Sequence, residues 1–75
     1  MPSQVVDLFC GVGGLTRGLI NSGLNVTDGF DIDTTCKYAY EHNNDAHFHN
    51  ENIRNMDGNE IINCYDNDVT RILVG

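Results

Sequence analysis

Apolar and polar positions switch between two periods along the chain. Gln4 to Phe9 is an unbroken β-prone run that stops at glycines, the pattern of a strand covered on both faces. Leu15, Leu19 and Ile20 then recur at helical spacing as far as Ser22-Gly23, where glycine can take the left-handed cap. Leu24 to Phe30 reads as a second strand running into the acidic group Asp31-Ile32-Asp33. Asp33 or Thr34 is placed to cap a second helix, in which Cys36, Ala39 and Tyr40 share a face and which ends near His42-Asn43-Asn44. Ala46 to His49 is a short third strand centred on Phe48. Asp57 with Glu60 three residues later has the spacing of a capping box and opens a helical turn through Ile61 and Ile62. Arg71 to Val74 is a fourth strand.

A β-α-β-α-β-α-β order predicts an α/β fold: a parallel sheet with right-handed crossovers and helices on both faces. The usual strand order for such a unit is 3-2-1-4, which puts the fourth strand at an edge. A sheet of this kind is expected to continue, so residues 1–75 read as the N-terminal part of a longer domain. An exposed edge at Arg71 to Val74 also predicts self-association with a second copy.

Composition narrows the function. With 75 residues the chain is one small domain at most, and 40% hydrophobic with 20% charged residues is a globular composition. No apolar run approaches the roughly 20 residues of a membrane span, and no basic-then-apolar leader precedes the first strand, so a cytoplasmic location is expected. The formal charge of −7, with Arg17, Lys37, Arg54 and Arg71 scattered, argues against this segment gripping nucleic acid by itself. Cys10, Cys36 and Cys64 are an odd set with no CxxC pairing, which reads as free thiols in a reducing compartment.

The chemistry is concentrated at Gly11-Val12-Gly13-Gly14, at the carboxyl end of the first strand and the start of the first helix. Ligands of doubly wound sheets bind at that end, and glycine lets backbone approach them closely. The dinucleotide fingerprint fails, because Thr16 stands where the third glycine of G-x-G-x-x-G belongs, and no Gly-Lys-Ser/Thr follows for a phosphate loop. What remains is a glycine loop with Asp31 at the end of the second strand, where a carboxylate can accept both hydroxyls of a ribose. Adenosyl compounds without a pyrophosphate, chiefly S-adenosylmethionine, suit that pair.

The run Asp7-Leu8-Phe9-Cys10-Gly11-Val12-Gly13-Gly14-Leu15 resembles the DLFxGxGG motif of the C5-cytosine-specific DNA methyltransferases. The resemblance continues through Gly18, Gly29 to Asp33, Ala39 to Asn43 and Asn52-Ile53-Arg54, in the family's order and over nearly the whole chain. It implies an incomplete S-adenosylmethionine-dependent methyltransferase (Rossmann-like) fold. It also implies methyl transfer from S-adenosylmethionine to C5 of a cytosine flipped out of DNA, as in a prokaryotic modification methylase, with S-adenosylhomocysteine as product. By that resemblance Phe9 packs on the adenine, and backbone groups of Gly11, Val12, Gly13 and Gly14 meet the methionine portion. Asp31, glutamate in many relatives, holds the ribose. Ile32 lies against the adenine. Asn52 replaces an aspartate that accepts from the adenine amino group, with Ile53 beside it.

The family's nucleophile is a cysteine in a Pro-Cys motif just after the fourth strand, and the target-recognition region comes later. Neither is found in residues 1–75, so no catalytic residue is assigned, and this portion is expected to bind cofactor without methylating. DNA is expected to be held by the remainder of the protein. Cys10, although beside the glycine loop, falls at a spacer position of the motif; Cys36 and Cys64 read as packing.

His42, Asp45, His47 and His49 cluster in sequence, and on a strand His47 and His49 share one face as two ligands would. No cysteine joins them at ligand spacing, however, and the Asn-rich turn around them reads as a solvated loop, so no metal is assigned. Asp28, Asp31 and Asp33 lack the twelve-residue pattern of a calcium loop. Tyr40 reads as core. Three other readings stand beside the leading one. They are a transfer-RNA cytosine methyltransferase of the same family, a nicotinamide-dependent oxidoreductase fragment, and a cofactor-binding module that never had a nucleophile.

Overall fold

The computed structural model describes residues 2–11 and 13–75. Four parallel strands, β1 (Ser3–Leu8), β2 (Val26–Asp31), β3 (His47–Asn50) and β4 (Thr70–Val74), lie in the order β3-β2-β1-β4. Three helices connect them: α1 (Gly14–Asn21), α2 (Cys36–Asn43) and α3 (Gly58–Ile62). The strand order and the edge position of β4 are those the pattern predicts. Boundaries shift by a residue or two, and a 3-10 turn, Ile53–Asn55, was not foreseen.

Local signals act where the pattern puts them. After α1, Gly23 takes φ 91°, its N–H donates to the Ile20 carbonyl, and Leu24 N–H donates back to Leu19. These are the two bonds of a Schellman stop, and they need a glycine at that φ. Asp57 caps α3 by accepting from Asn59 N–H at 3.0 Å. The second helix departs slightly from expectation. Thr35 is its formal N-cap without a side-chain cap bond, while Asp33 just before it accepts from both the N–H and the hydroxyl of Thr35. Those two bonds hold the Asp33 carboxyl below the usual carboxylate range.

Alternation along the strands sorts side chains onto two faces. Asp7, Gly29 and Phe48 are in register on one; Leu8, Phe30 and His49 are in register on the other. The first face is covered by α1 and α2. Tyr40 is fully buried there, its ring 5.7 Å from that of Phe48, with Cys10, Cys36 and Ala46 packed around the pair. The ring needs a flat floor: a Cβ at Gly29 would stand 2.5 Å from Tyr40 Cζ. The second face is closed by the segment leaving α3. Gln4 donates to the Asp66 carboxylate at 2.8 Å and accepts from Asp66 N–H at 2.7 Å. Tyr65 donates its hydroxyl to the Ile72 carbonyl.

Within α1 the fully buried residue is Thr16, whereas Leu15 of the apolar stripe is half exposed. The Thr16 hydroxyl donates to Asp7 at 2.6 Å and accepts from the Tyr40 hydroxyl at 3.0 Å. Where a dinucleotide fold uses a third glycine to bring helix and strand together, this chain bridges them with hydrogen bonds.

Burial raises the Asp7 carboxyl above its ordinary value, opposed by the Thr16 bond and reinforced by the charge of Asp31. The folded state therefore favours neutral Asp7. Its contribution is complete below the unfolded carboxylate value of about 3.9 and is lost as pH rises through the raised value. Thermal melts of the chain and of Asp7→Asn across that range should diverge, the variant gaining relative to the native chain as pH rises. A gap that moves the other way with rising pH would contradict this.

Candidate functional site

The carboxyl ends of β1 and β2 lie side by side, tied by Cys10 N–H donating to the Phe30 carbonyl at 3.0 Å. Just beyond Leu8, Phe9 leaves the strand with φ 55° and is 68% exposed. A bulky residue in the left-handed region costs on the order of 1–3 kcal/mol, and such strain gathers at functional sites. At the matching end of β2, Ile32 is 63% exposed. Two large apolar side chains thus stand in solvent at the end of the sheet where doubly wound folds take ligands.

Between them runs the glycine turn, closed by Gly13 N–H to the Cys10 carbonyl at 2.9 Å and continued into α1 by Arg17 N–H to the Gly13 carbonyl at 2.8 Å. The three described glycines serve different ends. Gly13, at φ 94°, faces inward, where a Cβ would collide with Asn44 Nδ2 and stand 2.8 Å from Tyr40 Cδ2. At Gly11, with φ 54°, a Cβ would meet none of the described residues within 4 Å. The same holds at Gly14, which opens the helix outside the left-handed range. Packing inside the chain explains Gly13. It does not explain Gly14, whose outer side meets none of the described residues.

Asp31 holds this loop. Its Oδ2 accepts from Gly11 N–H at 2.8 Å and its Oδ1 from Asp33 N–H at 3.0 Å. The segment after β3 is drawn to the same place. Asn50 donates its amide to the carbonyls of Asp31, at 3.2 Å, and Ile32, at 2.8 Å, while Glu51 N–H donates to the Asp31 carbonyl at 3.1 Å. Asn52 and Ile53 follow directly, so they are delivered to the end of β2 that carries Asp31 and Ile32. Asn52 caps the 3-10 turn, its Oδ1 accepting from Arg54 N–H at 3.1 Å. The sequence reading missed Asn50. A lone asparagine one residue past a histidine strand carries no signal until the parallel pairing of β2 and β3 is known.

Phe9, Gly11, Gly13, Gly14, Asp31 and Ile32 therefore gather at the carboxyl ends of β1 and β2, while Asn52 and Ile53 follow Asn50, which is bonded to that end; Val12 lies outside the described residues. A further cleft of about 260 Å³ opens between Leu8, Phe9, Leu73, Val74 and Gly75, on the β4 side of Phe9. The thiols are poorly placed for nucleophilic work. Burial, then the charges of Asp7 and Asp31, push Cys10 up to about 12, and burial lifts Cys64 to about 11 and raises Cys36. Only a thiolate attacks, so none of the three is activated at neutral pH.

The loose groupings read from sequence come apart in space. Asp28 turns to the second face, Asp31 to the glycine loop and Asp33 to Thr35. His42, Asp45 and His47 are exposed, but His49 is not part of a solvated loop: it is half-buried and hydrogen-bonded to Asp28. Tyr40 is core, as expected. Among the described residues no helix is long and apolar enough to cross a membrane.

A 3-2-1-4 parallel sheet with a glycine loop after β1 and an acidic residue at the end of the neighbouring β2 is a Rossmann-like arrangement, and comparison with known proteins makes it specific. Residues 3–74 match the sequence profile of the C-5 cytosine-specific DNA methylases. The chain belongs to that family. It is 52% identical over 75 residues to the type II methylase M.HgiDII of Herpetosiphon aurantiacus, covering all of this chain and 21% of that protein. The fold is similar to the crystal structure of a triple-alanine mutant of Spodoptera frugiperda DNMT2, with a TM-score of 0.73 and 27% identity over 96% of this chain and 22% of that one. The chain spans about a fifth of the length of these relatives.

Proposed function

We propose that residues 1–75 form the S-adenosylmethionine cradle of a DNA (cytosine-5-)-methyltransferase of the type II modification kind. The observation that carries the reading is Gly14: a helical glycine with no described residue within 4 Å of where its Cβ would stand, close in sequence to an exposed and strained Phe9. Bound there, S-adenosylmethionine supplies the electrophilic methyl group. The chain's own part is to bind and orient it. Phe9 and Ile32 offer apolar faces to the adenine, and the Asp31 carboxylate, already fixed by Gly11 and Asp33, accepts from the ribose hydroxyls. The free N–H groups at the start of α1 and the open side of Gly14 meet the amino-acid portion. Asn52 in place of aspartate leaves a neutral acceptor for the adenine amino group, about 1 kcal/mol weaker than a charge-assisted bond.

The family's DNA specificity and the type II relative favour DNA over transfer RNA as the substrate. DNA contact belongs to parts of the protein with basic surface, since these residues carry a charge of −7. Pairing through the outer edge of β4 is part of the same reading. With three unactivated thiols, residues 1–75 bind cofactor and transfer no methyl group on their own.

Calorimetric titration of the chain with S-adenosylhomocysteine and, separately, with NAD tests this reading. A saturable response to S-adenosylhomocysteine and none to NAD is expected. The reverse pattern overturns it.

A further inference from the structure

On the face of the sheet opposite α1 and α2, three chemically different ligand groups converge from distant parts of the chain. Asp28 comes from β2, His49 from β3 and Cys64 from the turn after α3, and one donor atom of each lies within 4.8 Å of the others. We propose that Asp28, His49 and Cys64 form a binding site for a zinc-class divalent cation, distinct from the cofactor cradle.

The chemistry of the donors selects the ion. A carboxylate oxygen, an imidazole nitrogen and a thiolate sulfur together suit zinc; a calcium or magnesium site would be built from oxygens. Three protein ligands leave the fourth tetrahedral position to water or an external donor.

The histidine is already held for the role. Its Nε2 lies 2.6 Å from Asp28 Oδ2, and its ring stacks on Phe30 with centroids 4.3 Å apart and planes 10° off parallel. His47 contacts the ring edge at 4.7 Å but is exposed and directed toward Glu41, at 3.8 Å. The thiol sits 3.4 Å from the Glu60 carbonyl. All three side chains are half-buried, open enough for an ion to enter and shielded enough to hold it. Only the thiolate form of Cys64 binds a metal, so the thiol must give up its proton on binding. A bound cation takes the place of that proton, forming the metal–sulfur bond and releasing one H⁺ to solvent. It would also join β2, β3 and the exit of α3 at a single point.

The metal-free chain, titrated with cobalt(II), tests the site. One equivalent is expected to bring up a sulfur-to-cobalt charge-transfer band that zinc then bleaches. Cys64→Ser should abolish the band and Cys36→Ser should leave it. His49→Gln should weaken zinc affinity by more than the roughly 10- to 100-fold that loss of a group behind a metal ligand costs. A second readout needs no variant: zinc should slow alkylation of Cys64 in the native chain and leave Cys36 unaffected. Absence of the band, its survival in Cys64→Ser, or equal alkylation of Cys64 with and without zinc would overturn the site and leave Asp28 and His49 as a hydrogen-bonded pair only.

Discussion

Gly13→Ala is expected to cost the chain a large share of its stability, while Gly14→Ala one position later spares the fold and weakens cofactor binding. At Gly13 the added methyl would meet the Asn44 amide and the Tyr40 ring, and φ 94° is a conformation that L side chains avoid. Overpacking of a fixed interior costs about 1–3 kcal/mol and the left-handed backbone about 1–2 more. Small domains lose roughly 4–8 °C of Tm per kcal/mol, so a fall of about 8–40 °C is expected. At Gly14 no described residue lies within 4 Å of an added Cβ and the backbone is helical, so alanine should leave the melt within about 1 kcal/mol of the native chain. Its methyl would, however, occupy the side left open for the ligand, and S-adenosylhomocysteine affinity should fall at least about tenfold, or 1.4 kcal/mol. Thermal melts and ligand titrations of the two variants check both halves. A Gly14→Ala protein that melts far below the native chain would show that this glycine serves packing instead.

Asp31→Ala should produce the largest loss of binding. The carboxylate accepts from Gly11 and Asp33 N–H groups and so sets the shape of the loop before any ligand arrives. In the proposed role it also accepts from the ribose. Hydrogen bonds to a charged acceptor contribute about 1.5–3 kcal/mol, and losing this acceptor should weaken S-adenosylhomocysteine binding by roughly 10- to 150-fold. Asp31→Glu, which restores a carboxylate of the kind many relatives carry, should recover most of that loss. Affinity in Asp31→Ala within twofold of the native chain would mean that the ribose is held elsewhere. The melt should drop as well, by about 1–2 kcal/mol, because two backbone donors lose their partner.

Much of this is legible in the residues alone, and for physical reasons. The strand order follows from the alternation of period-2 and helical segments together with the handedness of crossovers. The glycine loop, Asp31 and Ile32 can be placed because the ends of adjacent parallel strands must meet. Gly23 can be read as a helix stop because only its backbone freedom suits the Schellman geometry. What stays hidden depends on contacts between residues far apart in sequence. Thr16 looks like a mismatch to a dinucleotide pattern, yet it is the buried bridge between Asp7 and Tyr40. Gly13 and Gly14 are adjacent and identical in type, and only their surroundings separate a glycine packed against Tyr40 and Asn44 from one with no described neighbour. His49 can be placed on the third strand, but its setting stays hidden because Asp28 and Cys64, which lie against it, stand 21 residues before and 15 after it. Periodicity places it on a strand face but is silent on which strand lies beside it.

Amide-resolved NMR titration of the chain with S-adenosylhomocysteine tests the central claim most directly. The account predicts saturable shifts at Gly11, Gly13, Gly14, Asp31 and Ile32, with smaller ones through Asn52 and Ile53, and none at His49 or Cys64 on the opposite face. No saturable shift at the glycine loop, or shifts confined to the Asp28–His49–Cys64 face, would contradict it.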